Sequence, residues 1–195
     1  MGYKEKLLLL GGGGHCKSVI DVIEQEGRYE IVGIIDKKEK VGQKVLDYKI
    51  IATDEDLPLL VKDYKNILIT VGQVGTGEKR KSLFEKCKTL EFNFPVIISP
   101  YAYVSKHSKI GEGTVVMHNV IINASTKIGK NCIINTAAII EHDVIVENHC
   151  HISTGAILNG AVFVEEGSFI GSNATTKQGI KIFKNSFIKA GSLIK

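Results

Sequence analysis

From Val104 to the end of the chain an apolar residue returns at every sixth position: Val104, Ile110, Val116, Ile122, Ile128, Ile134, Ile140, Val146, Ile152, Leu158, Val164, Ile170, then Ile182, Ile188 and Ile194. Only Thr176 breaks the series. Two positions before each of these stands a smaller or moderately apolar residue, as at Val120, Cys132, Ala138, Val144, Cys150, Ala156, Val162 and Ala174. A helix brings its face back every 3.6 residues and a strand every two, so a period of six calls for a short strand followed by a fixed corner.

The corner is also legible. Three positions after each inward residue come His107, Gly113, Asn119, Ser125, Asn131, Ala137, Asp143, His149, Gly155, Ala161, Gly167, Asn173, Gly179, Asn185 and Gly191. Gly, Asn, Asp and His tolerate positive φ, which predicts a left-handed backbone turn at each of these positions. Three flat faces and three corners close one triangular coil of eighteen residues. This pattern resembles the hexapeptide-repeat acyltransferases, and the resemblance implies a left-handed parallel β-helix over residues 101–195. Cys132 and Cys150, one coil apart, are expected to stack inside it as packing residues. Ile121, Ile133, Ile139, Ile145 and Ile157 flank the inward column and are expected to pack against a partner chain in a homotrimer.

Residues 1–98 follow another rhythm. Leu7 to Leu10 reads as a strand, Gly11 to Gly14 as a loop, His15 to Glu26 as a helix, and Ile31 to Ile35 as a second strand ending at Asp36. The alternation recurs with Ile67 to Val71 before Gly72, a helical stretch from Glu78 to Leu90, and Phe94 to Ile98. A small parallel α/β domain of Rossmann-like type is expected, joined at Ser99 and Pro100 to the repeats.

Composition narrows the setting without naming the chemistry. No apolar run is long enough to cross a bilayer and the first residues do not read as an export signal, so a cytoplasmic protein without membrane insertion is expected. The formal charge of +4 comes from lysines mixed with acids rather than from a basic face, which argues against nucleic acid as a partner. Cys16, Cys87, Cys132 and Cys150 show neither a C-x-x-C pair nor zinc spacing, and reduced thiols with no metal are expected.

A glycine-rich loop between a first strand and a first helix lets backbone N–H groups approach phosphate. Gly11 and Gly13 fit the start of the dinucleotide fingerprint, but Cys16 stands where its third glycine belongs, so the NAD signature is incomplete. Asp36 sits where a ribose-binding carboxylate would, or is a solvated loop acid beside Lys37 and Lys38. In the repeats, the densest titratable stretch is Asn135 to Ala156. Acetyl transfer needs a group to take the proton of the attacking amine or hydroxyl, and His142, at a corner between Glu141 and Asp143, suits that task. An adjacent carboxylate would fix its tautomer.

The GGGGH run Gly11 to His15, Asp36, Gly72 and the Glu141-His142-Asp143 triplet resemble the sialic acid O-acetyltransferase (NeuD) family, which includes nucleotide-sugar N-acetyltransferases of the bacillosamine and perosamine type. The resemblance implies that Gly13, Gly14, His15, Asp36 and Gly72 line a nucleotide-sugar pocket and that His142 is the base with Asp143 orienting it. It also implies that His151, Gly160 and Ser172 contact acetyl-CoA, His151 as a donor near the thioester. Residues 73–81, with Gly75 and Gly77, are longer and richer in glycine than the family's loop there. Family members usually continue past the last coil into a Gly-x-Pro-Ala-Lys tail over the cofactor. The sequence stops at Lys195, which implies either a shortened chain or a CoA adenine end held by fewer contacts.

The leading expectation is acetyl-CoA-dependent N-acetylation of a nucleotide-linked 4-amino-4,6-dideoxy sugar for bacterial surface glycans. O-acetylation of a sialic-type sugar and a non-catalytic trimeric nucleotide-sugar-binding scaffold stand beside it. A γ-class carbonic anhydrase shares the β-helix but needs zinc-binding histidines at a spacing that is missing here.

Overall fold

The computed structural model describes residues 4–195, and the chain divides into two compact units. One holds the residues up to 72 together with 82–95; the other holds 73–81 together with 96–195. The expected division at 98–101 thus falls slightly late, and it misses the excursion of residues 73–81 into the second unit.

The first unit runs β1 (Glu5–Leu10), α1 (Gly14–Glu26), β2 (Tyr29–Ile35), β3 (Lys44–Val45), β4 (Tyr48–Ala52), α2 (Leu57–Asp63), β5 (Asn66–Ile69) and most of α3 (Glu78–Thr89). The sheet order is β3-β4-β2-β1-β5, parallel except for the β3–β4 hairpin. β1 lies inside the sheet between β2 and β5 and is apolar on both sides, which is why Leu7, Leu8 and Leu9 are fully buried in succession. In α1 the spacing of Cys16, Val19, Ile20 and Ile23 turns one face to the core. The helix ends at Gly27, whose φ of 76° lets its N–H return to the Ile23 carbonyl at 2.9 Å. Leu8, Leu10, Ile67, Ile69, Phe84, Phe92 and Phe94 close the core.

The second unit is a stack of two-residue parallel strands from Ile97–Ile98 to Leu193–Ile194, in sheets of six, five and six strands whose neighbours lie three strands apart in sequence. It is the left-handed parallel β-helix expected from the six-residue period. Three outward columns define its faces. The first carries Tyr103, Ile121, Ile139, Ile157, Thr175 and Leu193; the second Lys109, Lys127, Ile145, Phe163 and Lys181; the third Ile97, Val115, Ile133, His151, Phe169 and Phe187. Inside, Ile122, Ile134, Ile140 and Ile152 are fully buried, each contributing about 2 kcal/mol, and the smaller column of Val120, Cys132, Ala138, Val144 and Cys150 fills the space between them.

The corners fall where the residue types predict. Every position of the column from Gly113 to Gly191 has positive φ, and only His107 is outside the left-handed region. For a residue with a Cβ that conformation costs about 1 kcal/mol. What offsets it is a hydrogen bond to the coil below: Ala137 N–H to His118 O at 2.9 Å, Asp143 N–H to Ala124 O at 3.1 Å, His149 N–H to Lys130 O at 2.8 Å. Glycine serves a second purpose at Gly155, where a Cβ would meet the Oδ1 atom of Asn173 from the coil above. Thr176, the break in the inward series, is buried with its hydroxyl accepting the Asn159 N–H at 2.9 Å, so its polarity is satisfied.

One expected outward residue is misplaced. Ile133 is fully buried within the chain, because residues 73–81 lie over its face at Asn131 and His151. Ile121 is 38% exposed, and Ile139, Ile145 and Ile157 are half-buried. Among the described residues no helix is long and apolar enough to cross a membrane.

Candidate active site

In the first unit the glycine loop is held from both sides. Asp36 accepts the Gly12 N–H at 2.7 Å, the Lys37 N–H at 2.7 Å and the Lys40 ammonium at 3.0 Å. Burial pushes its carboxyl up, but these donors outweigh burial and hold it below the usual carboxylate range. Thr70 donates its hydroxyl to the Gly11 carbonyl at 2.7 Å, tying the end of β5 to the same loop. Beyond these clamps the loop is open: Gly13 and Gly14 are exposed, and a Cβ on either would touch nothing within 4 Å. Gly72 stands against His15, with 3.3 Å between a Cβ built there and the histidine Cβ. Asp36 and Gly72 thus stand against the two ends of the segment that holds Gly13, Gly14 and His15, with Asp36 shaping the loop. Cys16, at the missing third glycine, is packed inward; burial raises its thiol to about 11.

In the second unit His142 and Asp143 occupy a corner between the first and second faces. The left-handed turn at Asp143, φ 61°, brings its Oδ2 to 2.8 Å from Nδ1 of the preceding histidine. A carboxylate only accepts, so His142 Nδ1 is the donor and Nε2 carries the lone pair. Both side chains are more than half exposed, so the contact orients the ring rather than stabilising the fold. Glu141 is directed elsewhere, accepting the Asn123 amide at 2.8 Å. One coil above, Gly160 lies against the imidazole: a Cβ there would come within 2.7 Å of Cε1 and Nε2.

His151 and His142 face different sides of the chain. His151 lies on the third face, across the prism from the His142 corner, and is buried. Nδ1 donates to the Gln73 carbonyl at 2.7 Å, and Nε2, 3.2 Å from the Asn135 amide, accepts from it. Burial above all pushes the ring down to about 4; the Gln73 carbonyl opposes the fall and the Arg80 charge adds to it. With its one N–H committed, neutral His151 has none to offer a thioester oxygen, and the expectation of a donor there is corrected on that ground. Ser172 is at another corner, its hydroxyl 3.0 Å from that of Ser153. Of the residues assigned to catalysis and cofactor, the structure brings together His142, Asp143 and Gly160, and leaves His151 and Ser172 apart.

Two residues escaped sequence reasoning. Gln73 fixes the His151 tautomer, and Arg80 is buried with Nε 3.4 Å from the Asn131 carbonyl, its guanidinium lowered to about 10 by burial. Neither carries a signal in the sequence, since both depend on a loop crossing to a face 51 and 78 residues further along the chain. That loop, through Gly75 and Lys81, also walls a cavity of about 470 Å³ with Glu166 and Phe187.

Residues 6–87 match the PglD N-terminal domain family, and residues 161–195 match the hexapeptide repeat of succinyl-transferase. A curated relative, UDP-N-acetylbacillosamine N-acetyltransferase of Bacillus subtilis (strain 168), is 35% identical over 115 residues, 58% of this chain and 51% of the relative. The match thus spans about half the length of that relative. Among solved structures, perosamine N-acetyltransferase of Caulobacter crescentus, a histidine-to-asparagine mutant in complex with CoA and GDP-perosamine, superposes with a TM-score of 0.91 at 30% identity, covering 97% of this chain and 88% of that one. The acetyltransferase domain of PglB from Neisseria gonorrhoeae FA1090, in complex with acetyl coenzyme A, gives 0.89 at 31% identity over 98% and 93%.

Proposed function

Because the chain belongs to the hexapeptide-repeat family of nucleotide-sugar N-acetyltransferases, we propose that it transfers the acetyl group of acetyl-CoA to the amine of a nucleotide-linked amino sugar. The observation that carries this reading is the His142–Asp143 pair: a histidine whose Nδ1–H is held by a carboxylate presents the Nε2 lone pair at an exposed corner. The sugar amine attacks the thioester carbonyl, a C–N bond forms, and Nε2 takes the amine proton. As the C–S bond breaks, that proton passes to the departing sulfur, which leaves as the free thiol of CoA. Gly160 lines the same corner as part of the acetyl-CoA site, and the open loop at Gly13 and Gly14 receives the nucleotide end of the sugar nucleotide.

The working unit is a homotrimer. The first face presents Tyr103, Ile121, Ile139, Ile157 and Leu193 in register, an apolar ladder that a second copy would cover. The test is a mass-spectrometric screen of acetyl-CoA against UDP-, GDP- and CMP-linked amino sugars. One acceptor should gain an acetyl group, and His142→Ala should slow that turnover by about a hundred- to ten-thousandfold. Acetylation at an undiminished rate in the folded variant, or acetylation of no acceptor, would refute the reading.

A further inference from the structure

On this β-helix a step of one coil joins opposite charges: Lys130 meets Glu112 at 2.9 Å, and Lys184 meets Glu166 at 3.4 Å. Elsewhere the same step brings like charges together. Lys109 and Lys127 are in-register neighbours on the second face, their strands about 4.8 Å apart, and neither forms an ion pair with a carboxylate among the described residues. Like charges opposed on a ladder are unfavourable. The pair lines a cavity of about 430 Å³ with His107, Ser125, Asp143 and Ile145. Asp143 is the acid on that wall, and its Oδ2 is taken by His142. Directly below Asp143 in the corner column stands the exposed Ser125; one and two coils above are Ala161 and Gly179, which carry no charge. On the side of the earlier coils the corner that carries His142 and Asp143 is therefore flanked by two lysines.

We propose that Lys109, Lys127 and the Ser125 hydroxyl form a phosphate-binding subsite beside the catalytic pair. Two lysines one strand apart can each donate to a different oxygen of a phosphate or diphosphate, and a bound anion would relieve the repulsion between them. Its assignment to a substrate rests on the acetyltransferase reading, which offers two sources of the same chemistry: the diphosphate of the sugar nucleotide and the phosphates of CoA.

The test is calorimetric titration of the wild-type protein and the Lys109→Gln/Lys127→Gln variant with UDP, GDP and coenzyme A, at low and at high salt. One ligand class should lose about ten- to a hundredfold in affinity, the value of one or two charge-assisted hydrogen bonds, and the loss should shrink as salt screens the site. A loss for coenzyme A assigns the subsite to its phosphates; a loss for UDP or GDP assigns it to the sugar nucleotide. The melting temperature should be no lower than in the wild type, since a repulsion is removed; Lys127→Gln alone provides the reading if the double variant does not fold. Affinities for all three ligands within about twofold of wild type, the behaviour of solvated surface lysines, would overturn the subsite. Lysine-dependent binding in a protein that acetylates no sugar would leave the subsite standing and remove the acetyltransferase reading instead.

Discussion

Gly160 is the floor on which the His142 imidazole rests: the position one coil above has no side chain, and a Cβ there would lie 2.7 Å from the ring. The backbone at Gly160 is outside the left-handed region, so alanine fits the main chain and the whole steric load falls on the histidine. Gly160→Ala should lower kcat about ten- to a hundredfold through displacement of the base, with the melting temperature near that of the wild type. Wild-type kcat in that variant would mean the ring does not need this seat.

Gly13→Val separates binding from folding in the first unit. Nothing lies within 4 Å of a Cβ at Gly13, and its φ of −85° suits any residue, so the protein should fold normally. A branched side chain on the open face of the loop should nonetheless abolish sugar-nucleotide binding measured by calorimetry, because the nucleotide can no longer approach the backbone. Unchanged affinity would place the nucleotide elsewhere.

His151 makes stability depend on pH in a predictable direction. Its folded value of about 4 lies below the ordinary 6.5, so between those values the unfolded chain holds a proton that the folded chain does not. Stability should therefore fall as pH drops from 6.5 towards 4, by about 3 kcal/mol at most, and remain level above. Urea titrations across this window should give a shallower slope for His151→Gln than for wild type. Parallel slopes would show that the buried ring does not titrate in this way.

The apolar ladder on the first face gives a prediction about mass. Light scattering at micromolar concentration should return three times the 21.3 kDa of one chain. Ile121→Glu, a charge placed at a residue 38% exposed in the single chain, should shift the protein to monomer without unfolding it. A monomeric wild type would remove the trimer.

The β-helix was legible because its forces are local and repeat. An isoleucine every sixth residue and a corner residue that tolerates positive φ specify each coil independently of the others, which is why the column from Asn119 to Gly191 could be read in advance. His107, near the start of the repeats, does not follow it. The His142–Asp143 contact was legible for the same reason, being made by adjacent residues. What could not be read depends on chain segments far apart: the burial of Ile133 and His151 is decided by Gln73 and Arg80, and nothing in the six-residue period announces a cover arriving from outside it. The β3–β4 hairpin and α2 were missed because two to seven residues are too few to show a period.

The corner hydrogen bonds that join each coil to the one below also make the molecule a counting device. An insertion of eighteen residues adds a coil and returns every later side chain to its own face. An insertion of six turns all that follows by one face, and one of a single residue exchanges inward for outward. Between His142 and Gly160 the count is one full coil, so the imidazole keeps its floor only if the intervening loops change length in whole turns. Sequence can drift freely along such a chain; length between those two residues cannot.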